Sequence, residues 1–339
     1  MPKAIVILQS EGGTIAGAPA RPTSSSGQTV RGSMARLEIL GDSMMHRVTS
    51  QLRRAGIETC AILADSSQSS PNREVCEPEV TFSPDVWSDV SEHLTRSTES
   101  GNEAALIMRL GPYVEFDAAD LLQFRSDQDQ VVVRAFSDQN PLDIWAVDAT
   151  RISEIIDGGN LYGILSGEQT TRYLVSGYIN RLEYPRDLRR LAADGLNGKC
   201  EVRPIGFEVR PGVWMAEGVQ IEKEARIVAP AYIGENVTIS RQCLITRGSN
   251  IERDSIVDYG TVIEDTSVLQ NSYVGIGLDV SHSIVDGGKL LNLRHGVALQ
   301  IDDAAVMRRN NELRSEERNW WYGFSGEELI QVAAEDRRS

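Results

Sequence analysis

The sequence predicts a chain of mixed α/β class in three parts. An α/β domain spans residues 1–203, a parallel β-helix of hexapeptide repeats spans 204–301, and a C-terminal capping extension, expected to be helical, spans 302–339. Three observations carry this. From Met215 onward an aliphatic residue recurs at every sixth position. Through the first half, strand-length apolar runs alternate with segments of helical period. After Ile301 both patterns stop, and a charged segment follows in which Trp320, Trp321, Tyr322 and Phe324 cluster.

The first-half elements follow in order. Ala4–Leu8 reads as a strand, and Gln9–Ser33 as a Gly/Ser/Pro/Thr-rich loop. Ser43–Ala55 reads as a helix with Met44, Met45, Val48 and Leu52 on one side and Gly56 as its stop. Ile57–Ala64 is a second strand, and Val86, Val90 and Leu94 have helical spacing. Ala104–Leu110 is a third strand, and Asp117 can cap a helix bearing Leu121, Leu122 and Phe124. Val131–Phe136 and Ile144–Val147 complete the strands. Such alternation implies a mostly parallel sheet covered on both faces.

In the repeat, the inward residues are Met215, Ile221, Ile227, Ile233, Ile239, Ile245, Ile251, Val257, Ile263 and Leu269. A plain half-buried strand would also be apolar two places after each of these. Instead those places hold mostly charged or polar residues, among them Glu217, Lys223, Glu235, Arg241, Arg247, Arg253 and Asp265. Four places after each aliphatic comes a mostly small residue, such as Ala225, Cys243, Ser249, Ser255 and Thr261. One inward residue per hexad, with turns between, describes a chain that bends every six residues and closes a coil in three bends. Coils then stack at the interstrand spacing of ~4.8 Å. The register is expected to break at Gly275–Gly277, protrude as a loop to about Ser283, and resume at Val285, Leu291 and Val297. Leu244 and Val262, then Ile256 and Val274, precede inward positions and stand one coil apart, so they are expected to form outward apolar stripes for self-association or docking. The aromatic cluster beyond Ile301 reads as a terminal cap.

Composition narrows the function classes. The 339 residues are 41% hydrophobic, enough for a core, and carry a formal net charge of −15. That acid excess leaves no basic stripe for nucleic acid. The apolar runs Ala4–Leu8 and Cys60–Ala64 fall far short of the ~20 residues a spanning helix needs, so no membrane partner is expected. The first of them is also too short for a signal peptide. Cys60, Cys76, Cys200 and Cys243 lie far apart with no C-x-x-C pairing, which fits reduced thiols in the cytoplasm. No two of the four histidines stand in metal-ligand spacing, and no metal site is expected.

An α/β domain followed by a hexapeptide helix resembles the sugar-phosphate nucleotidyltransferases, such as mannose-1-phosphate guanylyltransferase, whose second domain is a left-handed β-helix. Several stretches carry the resemblance. Ile5–Leu8 with Gly12-Gly13-Thr14 resembles the family's first strand and phosphate loop, and Leu37–Val48 its P-L-x-P-L-x-G-x-P-M segment. Leu52–Thr59 resembles the helix and turn that follow. Leu110–Leu122 resembles its N-G-D stretch, and the run from Gly177 its G-Y-W-x-D-I-G-T-P motif and the helix leading into the β-helix. The resemblance implies a Rossmann-like nucleotidyltransferase-type domain in which a sugar phosphate attacks the α-phosphorus of a nucleoside triphosphate. A glycine loop, an Arg and a Lys would neutralise phosphate, and two aspartates would hold Mg²⁺.

Carried over by position, the Arg falls on Ile15, the Lys on Ala35, the first Asp on Pro112 and the second on Arg181. The E-K-P sugar-recognition segment has no counterpart between Phe136 and Ile144. The expectation is therefore a pseudoenzyme with no catalytic residues: a regulatory or scaffold subunit in sugar-nucleotide or polysaccharide metabolism. It would retain at most nucleotide or sugar-nucleotide binding at Gly12, Gly13, Thr14 and Gly111. Its partners would be further copies of itself, through the β-helix, or a catalytic paralogue. One alternative is an active nucleotidyltransferase with a displaced Mg²⁺ site drawing on Asp117, Asp120, Asp138 or Asp143, with Arg36 or Arg109 on a phosphate. Another is a hexapeptide acyltransferase using His282 or His295 as base.

Overall fold

The computed structural model describes residues 2–8, 37–65, 80–99, 101, 104–156, 160–167 and 170–309. The chain divides into two compact units, the first from Met1–Arg36 and Met44–Arg181, the second from Leu37–Ser43 and Leu182–Ser339. The boundary thus falls at Arg181/Leu182 rather than near residue 203, and the helix Pro185–Leu196 belongs with the second unit.

The first unit is built on a seven-stranded mixed sheet. Its order is Thr171–Leu174, Val132–Ser137, Asn140–Asp148, Ala104–Arg109, Lys3–Leu8, Glu58–Asp65, Thr81–Ser83. Every neighbouring pair is parallel except those made by Asn140–Asp148, which runs antiparallel to both Ala104–Arg109 and Val132–Ser137. Lys3–Leu8 is apolar on both faces because both are covered. Ala4, Val6 and Leu8 pack with Met45, Val48 and Leu52 of the helix Met44–Arg54 and with Leu121 and Leu122 of the helix Ala118–Asp127. Ile5 and Ile7 pack on the opposite face with Val86, Val90 and Leu94 of the helix Val86–Glu99. At the centre of that second core, fully buried Trp145 donates its indole N–H to the Leu165 carbonyl at 2.8 Å and meets Trp87 edge-on.

The second unit carries three ladders of short parallel strands, and every third strand of the repeat shares a ladder. Val213–Met215, Ala231–Ile233, Asn250–Ile251, Ser267–Val268 and Ser283–Asp286 form one. Gln220–Ile221, Thr238–Ile239, Ile256–Val257 and Ser272–Val274 form the next. Arg226–Ile227, Leu244–Thr246, Val262–Glu264 and Asp279–Ser281 form the third. One apolar cluster gathers the aliphatic residues of all three ladders, including Ile233, Ile251 and Val268, Ile239 and Val257, and Ile245 and Ile263.

Between strands the backbone bends through left-handed conformations that recur once per repeat. Gly218, Asn236, Asp254 and Asn271 form one column of positive φ, Glu224, Gln242, Gly260 and Gly277 a second, and Arg247, Asp265 and His282 a third. Gly, Asn and Asp bear this conformation at least cost, which is why turn formers recur at these places. The small residues beside the bends have a bonding role. The Ser255 hydroxyl donates to the Leu269 carbonyl at 3.1 Å, while those of Ser249 and Thr266 lie nearest the local Thr246 and Glu264 carbonyls, at 2.6 and 2.8 Å, with Ile263 and Val280 at 3.3 Å. They also accept from the N–H groups of Thr266, Ser272 and Ser283 at 3.2 Å. Thr261 does the same for Gly275 and Leu278. Backbone groups freed at a bend inside the unit are thereby satisfied without water.

The repeat departs from its expected course after Ile263. Ladder partners stand eighteen apart up to Ile245↔Ile263, then seventeen apart at Ile251↔Val268, Val257↔Val274, Ile263↔Val280 and Val268↔Val285. The pattern therefore contracts by one residue twice, between Ile263 and Val268 and again between Val280 and Val285, and continues each time. No loop protrudes at 275–283, where Asp279–Ser281 pairs with Val262–Glu264. Val274 is fully buried in the core rather than part of an outward stripe, and Ile256 has Tyr273 beside it instead. Leu291 and Val297 are not repeat positions either. They lie in Lys289–Asn292 and Val297–Gln300, which extend the first ladder as antiparallel strands. Met307–Arg309 runs antiparallel on Ser272–Val274, so the extension begins as a strand, not a helix. The aromatic cluster at 320–324 lies outside the described residues.

An early piece of chain completes the second unit. Glu38–Ile39 and Asp42–Ser43 form a hairpin whose turn, Leu40–Gly41, has positive φ at both residues. A Cβ on Gly41 would lie 2.1 Å from the Tyr232 hydroxyl, so only glycine fits there. Glu252, completely buried, holds this turn: its carboxylate accepts from Leu40 N at 2.8 Å and Gly41 N at 3.0 Å. The Asn250 amide donates to it at 2.7 Å. Burial pushes the Glu252 carboxyl from its ordinary 4.5 up to about 7, against the lowering pull of those three N–H donors. With the folded-state value above the unfolded one, this contribution to stability is complete below about pH 4.5 and lost as pH rises through about 7. Urea midpoints of the wild type should therefore fall between about pH 5 and about pH 8 more steeply than those of Glu252→Gln. Identical slopes would show that Glu252 does not titrate in that window.

Candidate functional site

In open sheets, ligands collect outside the carboxyl ends of the parallel strands, where crossovers leave neighbouring strands in opposite directions. Numbered along the chain, the strands of the first unit run 3-2-1-4-6-5-7 across the sheet, so that point lies between Lys3–Leu8 and Ala104–Arg109. Leu110 N bonds to the Ile7 carbonyl at 2.8 Å, which holds the two ends together. Gly111 and Pro112 follow directly. Gly12, Gly13 and Thr14, expected to continue from the other strand, lie outside the described residues, as do Ile15, Ala35 and Arg36.

Beyond Pro112 the chain enters a two-stranded ribbon, Tyr113–Val114 antiparallel to Ile179–Asn180, with Tyr113 opposite Asn180. The ribbon's paired ends, Tyr113 and Asn180, lead directly to Pro112 on one side and Arg181 on the other, both outside the pairing. Glu115 N donates to the Tyr178 carbonyl at 2.8 Å. A Cβ on Gly177 would lie 1.8 Å from the Glu115 carbonyl oxygen, so the glycine that opens the Gly177–Tyr178–Ile179 stretch is a steric requirement of this crossing. Pro112 and Arg181 are the two positions that the resemblance assigns to metal-binding aspartates. One is a proline and the other carries a guanidinium. These residues do not fit a Mg²⁺ ion, which requires oxygen ligands.

The other acidic residues near this end have partners. Asp143 lies between Arg109 and Arg134, bonded to Arg109 Nε at 2.8 Å and to an Arg134 terminal nitrogen at 2.9 Å. All three side chains are nearly buried. The guanidinium of Arg109 also lies over the Tyr162 ring, and that of Arg134 over Trp145. Asp117 caps the helix Ala118–Asp127, accepting from Ala119 N at 2.9 Å and Asp120 N at 3.0 Å. Asp120 accepts the Tyr173 hydroxyl, and burial together with that bond drives the Tyr173 phenol far above its ordinary range. Asp138 is the left-handed residue of the tight turn between Ser137 and Asn140. Among the described residues no group of three or more His, Cys, Asp or Glu side chains could hold a metal ion.

In the second unit, His282 Nδ1 lies 2.7 Å from Asp265, which also pairs with Arg189 at 2.9 Å. Asp265 and His282 occupy one bend column a coil apart, and the other columns carry comparable pairs, Asn236 with Asp254 and Gln242 with Glu224. The His–Asp contact therefore belongs to the stacking of the bends. His295 is exposed in the turn before Val297–Gln300. Leu244 and Val262, expected as an outward stripe, are ladder partners and half-buried. Cys200 and Cys243 are buried thiols, and burial raises that of Cys243. Among the described residues no helix is long and apolar enough to cross a membrane. The chain matches no protein-family model and no functionally curated protein.

Sequence reading missed Glu252 and Arg189. Both are charged residues at positions that pattern alone marks as solvent-facing, and only the packing of the Leu37–Ser43 hairpin and the Pro185–Leu196 helix in the second unit buries them. The Asp143 cluster gives a direct test. Asp143→Asn would leave Arg109 and Arg134 buried without their shared counterion, and should lower unfolding stability by about 3–5 kcal/mol in urea. A loss below about 1 kcal/mol would show the pair to be solvated.

Proposed function

We propose that this chain is a catalytically degenerate relative of the sugar-phosphate nucleotidyltransferases. In this reading it serves as a regulatory or scaffold subunit in sugar-nucleotide or polysaccharide metabolism. The observation that carries the proposal is the ribbon Tyr113–Val114/Ile179–Asn180, whose paired ends lead directly to Pro112 and Arg181. Neither side chain can ligate a cation, where a metal site of that family would carry two aspartates. The mixed sheet with its single antiparallel inner strand, and the glycine steric requirement at Gly177, are consistent with the same ancestry. In the second unit, the three ladders, the three bend columns and the shared apolar cluster support closure of the repeat into a left-handed β-helix. Such a body offers a surface for further copies or for a catalytic paralogue.

A displaced active site is the weaker reading, because Asp117, Asp120 and Asp143 are each engaged in structural bonds. The acyltransferase reading rests on the His282–Asp265 contact, and Arg189 shares that same carboxylate.

The test is incubation with mannose 1-phosphate or glucose 1-phosphate, each nucleoside triphosphate and Mg²⁺, with pyrophosphate release measured. No release above the protein-free rate is expected. Release that is lost on changing Asp117 or Asp120 would contradict the reading. In the reverse direction, Pro112→Asp with Arg181→Asp should create Mg²⁺ binding by calorimetry where the wild type has none at that place. A nucleotide retained by the glycine loop should add ~2.7 kcal/mol of stability at a concentration 100 times its Kd.

A further inference from the structure

Among the described residues the three ladders of the second unit do not end together. The first gains Lys289–Asn292 and Val297–Gln300 beyond Ser283–Asp286, the second gains Met307–Arg309 beyond Ser272–Val274, and the third ends at Asp279–Ser281. Cross-strand partners share one face of a sheet. Val285, buried in the shared apolar cluster, pairs with Leu290, and Leu290 pairs with Leu299. Ser283, Asn292 and Val297 pair in the same way, two residues along on that same face. The core-facing side of the first ladder thus continues past the last coil. Ile301, Val306 and Met307 still pack with the cluster, and Leu290 is half-buried. Leu299, however, is 50% exposed and Val297 42%. A core-facing surface is left uncovered there, at an open sheet edge.

The last described residue lies beside this surface. Arg309 bonds to Asp286 at 3.0 Å and crosses the turn Gly287–Gly288, where a Cβ on Gly287 would lie 2.7 Å from Arg309 Cγ. A Cβ on Gly288 would lie 2.9 Å from the carbonyl oxygen of Ile301, which directly follows the edge strand. A further thirty residues, 310–339, follow Arg309, with Trp320, Trp321, Tyr322 and Phe324 in one short stretch. We propose that this aromatic stretch covers Leu290, Val297 and Leu299 and so closes the core of its own chain. Residues 310–319 can span up to ~33 Å when extended. The four-residue edge strand is only ~13 Å long, so the tether reaches every part of the surface. Aromatic side chains bury ~150–250 Å² each and suit such a broad apolar face. A tethered segment acts at an effective concentration on the order of mM, which favours it over a second copy at micromolar concentration. The inference is independent of the nucleotidyltransferase reading, since it uses only the end of the second unit.

The experiment is acrylamide quenching of tryptophan fluorescence on the full chain. Emission lost when Trp320→Phe and Trp321→Phe are combined isolates those two residues. In the wild type that emission should be quenched several-fold less than free tryptophan, and equally at tenfold dilution. The same difference taken with Leu299→Asp should show quenching raised several-fold. Leu299→Ala, milder at a half-exposed position, should raise it in smaller measure if the aspartate variant fails to fold. Val209→Asp, at an exposed position at the opposite edge of the same sheet, should leave it unchanged. Freely quenched tryptophans in the wild type, or shielding that survives both Leu299 variants, would overturn the inference. Shielding lost on dilution would overturn it too, because a second copy would then be the occupant.

Discussion

A chain that bends every few residues inside its own core must satisfy the backbone groups freed at every bend, and the second unit is organised around that constraint. The inward aliphatic residues supply the burial, but only one arises per hexad, so each bend has to be small, left-handed and fully bonded. Ser249, Ser255, Thr261 and Thr266 meet the last demand by donating to a backbone carbonyl, local for Ser249 and Thr266, and accepting from a backbone N–H. A buried hydroxyl without such partners would cost several times what the bond returns. These hydroxyls lie where the ladder spacing shortens from eighteen to seventeen.

The same economy appears in the first unit, where charge near the carboxyl ends of the sheet is consumed internally. Asp143 pairs with two arginines, Asp117 caps a helix and Asp120 accepts the hydrogen bond of a tyrosine hydroxyl. An active phosphoryl-transfer site would instead keep its carboxylates and cations aimed at a common point, because that chemistry depends on positioning and electrostatics. Here the point exists in the topology, between the first and fourth strands, and the chain beyond the fourth passes through Pro112 into the ribbon Tyr113–Val114/Ile179–Asn180.

Much of this fold was legible in the residues alone. The aliphatic hexads through Ile263, the turn formers at bend positions and the strand–helix alternation of the first half all report local periodicity, and each corresponds to an observed element. The contraction after Ile263 was not legible. Leu269 continues the six-residue count, while the chain uses Val268, and Val274 looks outward only under the uncontracted count. The antiparallel strands around Leu291 and Val297 mimic the hexad spacing without its bends. Long-range burial was invisible as well. Glu252 becomes interior only because Leu40 and Gly41, more than two hundred residues earlier, turn against it. For the candidate site, Gly111 could be placed from the motif, but the pairing of the following Tyr113–Val114 with Ile179–Asn180 required the sheet register.

The central proposal is that the ends of Lys3–Leu8 and Ala104–Arg109 do not seat a divalent ion with a triphosphate. Crystals grown with excess Mn²⁺ and a nucleoside triphosphate, examined by anomalous scattering, address it most directly. The account predicts no metal peak beside Pro112, Arg181 or the ends of Lys3–Leu8 and Ala104–Arg109. A peak ligated there by aspartate or glutamate side chains, next to ordered phosphates, would contradict it.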